Sequence, residues 1–167
     1  MFNPRLAFLL AFAVNLGSST PLELLDTNAS CGDPFVSVGG HCLHFSTEAG
    51  TWDEMRSYCQ NLGGDMVKID DANLIYDIEE HVETQGIPES YFYIGGSDRD
   101  HAGEWRWTDG SNVKMGSPFW GFNCSPDEFT REPTNLDNED CMYISKGGYF
   151  LFHDCYCTEK YSVICEQ

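Results

Sequence analysis

Carboxylates and cysteines offer the most chemistry in this sequence, and both crowd into its second half. The run from Glu132 to Cys141 reads EPTNLDNEDC, and His153 and Asp154 follow it closely. Glu132 and Glu139 could be drawn as the acid and base of a glycosidase, whose carboxyl groups flank the bond at about 5 to 9.5 Å. No separate cleft-forming element is visible around them, and no Gly-x-Ser-x-Gly elbow occurs. Catalysis is therefore not expected. Taken alone, Asp98, Asp100, Asp127, Asp137 and Asp140 read as a solvated acidic loop surface, and His81 sits among Glu79, Glu80 and Glu83 as a solvated surface residue.

The chain has eight cysteines. In an oxidising compartment they read as disulfides before they read as metal ligands. Cys155-Tyr156-Cys157 has no second C-x-x-C or His-x-His unit to complete a zinc site. Composition leaves the pairing open, and no free thiol is expected to act as a nucleophile.

That compartment is implied by the first residues. Arg5 supplies a short positive region, Leu6 to Leu16 is apolar but for Asn15, and Gly17, Ser18 and Ser19 are small enough for cleavage. The apolar run of eleven residues is too short for a bilayer span of about 20. Residues 1–19 are expected to be an export signal, 20–30 a short polar lead, and 31–167 the folded domain, secreted without a membrane anchor. Asn28-Ala29-Ser30 and Asn123-Cys124-Ser125 are formal glycosylation sequons. The 167 residues leave room for one domain of ordinary size. With 9 Lys+Arg against 27 Asp+Glu the formal charge is -18, so nucleic acid would be repelled. At 41% apolar and 14% aromatic residues the chain can still pack a core.

The elements that must position these residues are partly legible. Phe35 to Phe45 alternates around Gly39-Gly40, as a hairpin does. Thr51-Trp52-Asp53-Glu54 is a capping box that starts a helix. Trp52, Met55, Cys59 and Leu62 form its apolar stripe, and Gly63-Gly64 is its stop. A second helix starts at Asp70 or Asp71, buries Leu74, Ile75, Ile78 and Val82, and ends at Gly86. Short strands are expected at Tyr91 to Ile94, Trp105 to Trp107, Cys141 to Ile144, Tyr149 to Phe152 and Ser162 to Cys165. Asp109 to Asp140 shows no sustained period, and so long a loop in a compact domain is usually functional. Trp105, Trp107 and Trp120 read as core aromatics.

Four runs in order, FYIGGSD (Phe92 to Asp98), GEWRWTDGS (Gly103 to Ser111), EPTNLDNEDC (Glu132 to Cys141) and the terminal ICE (Ile164 to Glu166), together with the cysteines, resemble the C-type lectin-like domain. The resemblance covers Cys31 to Gln167, and its overall look is that of a small secreted invertebrate lectin of arthropod type. It implies an α+β fold, the long form of the domain, with two helices, small antiparallel sheets and a long calcium- and sugar-binding loop. Carried over by position, Cys59 pairs with Cys165, Cys141 with Cys157, and Cys31 with Cys42. The two left over, Cys124 and Cys155, are expected to form an additional staple.

The resemblance also implies the site. In this family side-chain oxygens hold one Ca²⁺, and two vicinal sugar hydroxyls complete its shell, which suits an ion that takes 6 to 8 oxygen ligands with loose geometry. Glu132, Thr134, Glu139, His153 and Asp154 stand at the carbohydrate-binding positions, and Glu132, Thr134, Glu139 and Asp154 would be the metal ligands. The peptide before Pro133 is cis in the family. Its Glu-Pro-Asn form goes with equatorial hydroxyl pairs, as in mannose, glucose or fucose. Here the third residue is Thr134, a weaker ligand than an amide. Where the family has Trp-Asn-Asp, this chain has Phe152-His153-Asp154, and an imidazole is expected to intrude on a site meant for a hard cation. An auxiliary site would use Asp98, Asn135 and Asp140, but Ala102 replaces its remaining carboxylate. The expected function is Ca²⁺-dependent binding of mannose-type sugars on microbial or cell-surface glycans in innate immunity, with avidity from a homo-oligomer. The alternative is a calcium-independent protein-binding module with a degenerate sugar site. A mineral- or ice-surface binder is prompted by the charge alone.

Overall fold

A computed structural model of the chain describes residues 31–124, 129–134 and 138–167, with the backbone alone at 123 and 124. The expected signal (1–19) and lead (20–30), with Asn28, lie outside the described residues, as do Asp127, Asn135, Asp137 and the side chains of Asn123 and Cys124.

β1 (Val36–Val38) and β2 (His41–Phe45) pair antiparallel across Gly39 and Gly40. The turn needs positive φ at both positions, and they have 58° and 85°, which glycine adopts without a steric penalty. α1 (Trp52–Asn61) starts on the capping box. The Thr51 hydroxyl accepts from the Glu54 amide at 3.3 Å, and the Thr51 amide donates to Glu54 Oε2 at 2.8 Å. Thr51→Ala is expected to cost about 1 kcal/mol, read as a lower urea midpoint at unchanged slope. The helix buries Trp52, Met55 and Cys59, and the Trp52 indole N–H ties it to β4 (Tyr91–Ser97) by donating to the Ile94 carbonyl at 3.1 Å. α2 (Ala72–Thr84) is capped by Asp71, whose side chain accepts from the Asn73 amide at 3.0 Å, and buries Leu74, Ile75, Ile78 and Val82. His81 departs from the surface reading. It is half-buried, its ring stacks on Phe45 at 4.9 Å, and burial holds its pKa below the ordinary value.

The remaining strands are β3 (Asp65–Met66), β5 (Arg106–Trp107), β6 (Phe122–Cys124), β7 (Phe129–Arg131), β8 (Cys141–Ser145), β9 (Phe152–Cys155) and β10 (Ser162–Glu166). The main sheet runs β1-β2-β10-β4-β8-β9, with β3 added to β10 and β5 to β4. β10 joins two halves: Ile164 to Glu166 pair with β2, while Ser162 and Val163 run parallel to β4. The lower half thereby ties the two ends of the domain together, and the upper half, β4, β8 and β9, carries the long loop. This is the expected α+β architecture with two helices. Trp105, Trp107 and Trp120 are buried in the core with Phe152 and Phe92, as expected.

Two local expectations need correction. The strand placed at Tyr149 to Phe152 begins only at Phe152 and runs to Cys155, because Tyr149 and Phe150 both have φ of 55°, which no strand tolerates. The supposedly irregular Asp109–Asp140 stretch contains the β6–β7 hairpin.

Disulfides join Cys31 to Cys42, Cys59 to Cys165 and Cys141 to Cys157. The expected Cys124–Cys155 staple is not formed. Cys155 is a free thiol, 6% exposed, that turns into the sheet and donates to the Cys141 carbonyl at 3.4 Å. Burial pushes that thiol far above the ordinary range, which makes it inert. Iodoacetamide is therefore expected to label Cys155 only after denaturation. Labelling of the native protein within minutes would contradict its burial. Among the described residues no helix is long and apolar enough to cross a membrane.

Candidate functional site

The paired strands β8 and β9 bring the acidic residues of two loops together. Their register sets Met142 opposite Asp154 and Tyr143 opposite His153. The segment from Glu132 to Thr134 lies against β9: the Glu132 amide donates to the Gly121 carbonyl at 3.1 Å, and the Gly121 amide to the Phe152 carbonyl at 2.9 Å. The Glu132–Pro133 peptide is cis. From here the Thr134 amide donates to Asp154 Oδ1 at 3.0 Å. The Thr134 hydroxyl lies 2.7 Å from Glu139 Oε2 and 3.3 Å from Asp154 Oδ2. Glu132, Thr134, Glu139 and Asp154 therefore line one cavity of about 270 Å³, together with Tyr143, Tyr156 and Tyr161.

His153 takes a different position from the one expected. It lines the neighbouring cavity, stacked on Tyr143 at 5.3 Å, with Nδ1 3.3 Å from Glu132 Oε1. Gly121 and Gly148 make room for the ring, since a Cβ on either would come within 2.8 Å and 2.5 Å of its Nε2. The imidazole thus stands behind Glu132 and does not protrude between the carboxylates. The sequence names His153 next to Asp154 but does not tell which way it faces.

The charge balance of the cluster is uneven. Glu132 and Asp154 are each 7% exposed. Burial pushes the Asp154 carboxyl up to about 7, helped by its hydrogen bond to Glu132 and by that residue's charge. Burial also acts to raise Glu132, but hydrogen bonds from His153 and Asp154 outweigh it and hold the carboxyl below its ordinary value. Of two adjacent carboxyls one thus stays ionised while the other keeps a proton near neutrality.

The donors fit a hard cation in kind. Three carboxylates, a hydroxyl and backbone carbonyls are all oxygen, and the one nitrogen group, His153, faces away. As they stand these donors are hydrogen-bonded to one another, and among the described residues no three His, Cys, Asp or Glu form a group that could hold a metal ion. Calcium would therefore have to displace the Asp154 proton and redirect the Thr134 hydroxyl.

The auxiliary residues fare differently. The Asp98 amide donates to the Asp140 carbonyl at 3.2 Å, and Asp98 Oδ2 accepts from the Gly103 amide at 2.7 Å. Burial and the Asp140 charge raise the Asp98 carboxyl. Ala102 is exposed and has no donor to offer, and Asn135 lies outside the described residues. The tyrosines lining the acidic cavity went unread in the sequence. Tyr143, Tyr156 and Tyr161 stand apart in sequence from Glu132 and Thr134, and no local pattern links them to the acidic run.

A two-helix α+β domain closed by a terminal strand, with a cis Glu-Pro peptide beside a β9 carboxylate, defines the class of C-type lectin domains. Residues 48–167 match the family described as "Lectin C-type domain", and the chain belongs to it. It is 33% identical over 141 residues to "C-type lectin domain family 17, member A" of Homo sapiens, covering 83% of this chain and 32% of that protein. The chain thus spans about a third of that relative's length. Among solved structures, "SPL-1 - GlcNAc complex" is 26% identical with a TM-score of 0.65, covering 84% and 96% of the two chains. A "calcium-independent type II antifreeze protein" is 25% identical with a TM-score of 0.64, covering 82% and 93%. Members of the family are generally binding proteins and not enzymes.

Proposed function

We propose that this chain is a secreted, non-catalytic lectin that binds mannose-type sugars on microbial or cell-surface glycans with the help of Ca²⁺, in innate pattern recognition. The observation that carries the reading is the convergence of Glu139 and Asp154 on the Thr134 hydroxyl within one open cavity that Glu132 also lines. Glu132, Thr134, Glu139 and Asp154 would hold the ion, which when bound supplies open coordination positions for two vicinal hydroxyls. The carboxylates accept hydrogen bonds from those hydroxyls, and Thr134 both donates and accepts. His153 keeps Glu132 in place from behind. The complex of a structural relative with GlcNAc supports an equatorial hydroxyl pair as the recognised feature, since that sugar carries one. A single contact of this size is weak, and homo-oligomers would supply avidity. The test is retention on mannose-agarose with calcium and release by EDTA; a chain that flows through in calcium has no such site.

A second reading, a calcium-independent binding module, is favoured by one observation. The Thr134 hydroxyl already bonds the carboxylates to one another, so the cluster holds together without an ion. That reading predicts partner binding unchanged by EDTA and no thermal stabilisation by Ca²⁺. Calcium at 100 times its dissociation constant would otherwise add about 2.7 kcal/mol.

A further inference from the structure

A cavity of about 400 Å³ lies where α1, the end of β4, β5 and the turn joining those two strands meet, and it shares no lining residue with the acidic cavity. That volume is within the range of small-molecule sites. Its charge is unlike the rest of the molecule. Arg56, Arg99 and Arg106 line it, three of only nine Lys and Arg in a chain of formal charge -18. No Lys or Arg is among the described residues lining the acidic cavity or the one that takes in His153.

Two of the guanidinium groups are fixed in advance. Arg56 donates from Nε and Nη2 to the two oxygens of Asp65 at 3.1 and 3.0 Å, and Arg99 donates from Nη1 and Nη2 to those of Asp53, both at 2.8 Å. Both also stand over the Trp52 ring, 5.7 and 4.8 Å from its centroid. Arg106 uses Nη2 on Glu104 at 2.9 Å. A guanidinium carries five N–H donors in a rigid fork, so each arginine keeps donors beyond its carboxylate partner, and a group already held in place loses little freedom on binding. Stapling α1 to its neighbours accounts for the pairs with Asp65 and Asp53. It accounts neither for the third arginine, on β5, nor for the open space that all three line.

Two further polar atoms on lining residues are buried and unanswered. Among the described residues Trp107 Nε1 has no acceptor and Asp98 Oδ1 has no donor, on residues that are 3% and 7% exposed. A buried polar atom without a partner is costly, and folded proteins keep few of them. The lining therefore has two halves. The arginines and Trp107 offer N–H donors, while Asp98, Asp100 and Glu104 offer acceptors. A ligand that answers both carries one compact oxyanion and several hydroxyls. An extended polyanion would set further negative groups against three carboxylates on an acidic chain, and a bare ion would leave most of the cavity unfilled.

We propose that this cavity binds a small hydroxylated oxyanion, a sulfate or phosphate monoester of a sugar, independently of calcium and of the acidic cavity. The oxyanion takes the remaining N–H groups of Arg56, Arg99 and Arg106 in charge-assisted hydrogen bonds, the stronger kind. The carboxylates and the Thr108 hydroxyl, which also line the cavity, take the sugar hydroxyls. Sulfate and phosphate share this chemistry but differ in charge, since a phosphate monoester carries about 1.5 to 2 negative charges near neutrality. With three carboxylates in the same lining, the singly charged sulfate ester is the better fit.

The test is calorimetry on the full chain in EDTA at pH 7, with glucose 6-sulfate, glucose 6-phosphate, glucose, sodium sulfate and heparin as probes, for the wild type, Arg106→Ala and Arg106→Lys. Arg106 is exposed and its side chain pairs with the exposed Glu104, so the substitutions should leave the urea midpoint unchanged. The wild type is expected to bind glucose 6-sulfate about tenfold tighter than glucose or sodium sulfate. Arg106→Ala should lose about tenfold, and Arg106→Lys should recover only part, because an ammonium lacks the fork. A preference for glucose 6-phosphate keeps the site and makes phosphate its source. No heat with either ester, sodium sulfate binding as tightly as the esters, ester binding indifferent to Arg106→Ala, or binding of heparin alone would each overturn the proposal. With calcium removed throughout, these results stand whether or not the lectin reading holds.

Discussion

Asp154→Asn is expected to abolish calcium-dependent retention on mannose-agarose while making the calcium-free protein more stable at pH 8. The two effects have one cause. Asp154 is buried against Glu132, and its carboxyl is held up to about 7, well above the ordinary 3.8 of an exposed aspartate. Between those values the folded chain keeps a proton that the unfolded chain releases, so stability falls as pH rises across that window. Asparagine cannot ionise and escapes this cost, with an expected gain of about 1 to 3 kcal/mol at pH 8 in EDTA. It keeps one oxygen for the Thr134 amide, so the local hydrogen bond can survive. As a calcium ligand, however, it removes the charge that would hold the ion in an already weakened set. Urea titrations at pH 5 and pH 8, with calcium and with EDTA, separate the effects. A wild-type stability in EDTA that is flat from pH 4 to pH 7 would contradict the buried-carboxyl account.

The second large effect concerns the frame. Replacing both Cys59 and Cys165 with alanine removes a bridge that closes 106 residues of sequence. On the chain-entropy model this costs on the order of 4 to 5 kcal/mol. The bridge joins α1 to β10, the strand shared by both halves of the sheet. Its loss should therefore weaken the whole domain together, and with ordinary domain stability of about 5 to 15 kcal/mol the variant is left marginal. Thermal unfolding followed by near-UV and far-UV circular dichroism should show one coincident transition, shifted down steeply. Two separated transitions would mean that the halves are independent. The Cys141–Cys157 bridge spans only 16 residues, so its removal should cost less.

Where the sequence was legible, short-range chemistry decided the outcome. The Thr51–Glu54 box, the Gly39–Gly40 turn and the apolar spacing of α2 each act within a few residues, and each forms as read. The β6–β7 hairpin escaped because each strand has three residues, too few to show an alternation. The start of β9 was misread because two aromatic residues that favour strands occupy left-handed turn positions imposed by the fold. Cys155 was assigned a partner by subtraction, whereas it is a free thiol buried against Tyr93 and the Cys141 carbonyl. In the candidate site the acidic residues could be named but the direction of His153 could not. That direction depends on space left by Gly121 and Gly148, which are remote from it in local pattern. The cluster of Tyr91, Tyr143 and Tyr161 was hidden for the same reason, since Tyr91 lies on β4, Tyr143 on β8 and Tyr161 just before β10, and only the folded sheet brings them together.

The central claim is that Glu132, Thr134, Glu139 and Asp154 exchange their mutual hydrogen bonds for a calcium ion that sugar hydroxyls can then join. The most direct measurement is a calorimetric titration of calcium into the chelator-treated full chain at pH 7, in two buffers of different ionisation enthalpy, with and without methyl α-mannoside. The account predicts one ion per chain, proton release visible as a buffer-dependent heat, and tighter calcium binding when the sugar is present. Absence of any calcium heat at millimolar ion, or calcium binding indifferent to the sugar, would contradict it.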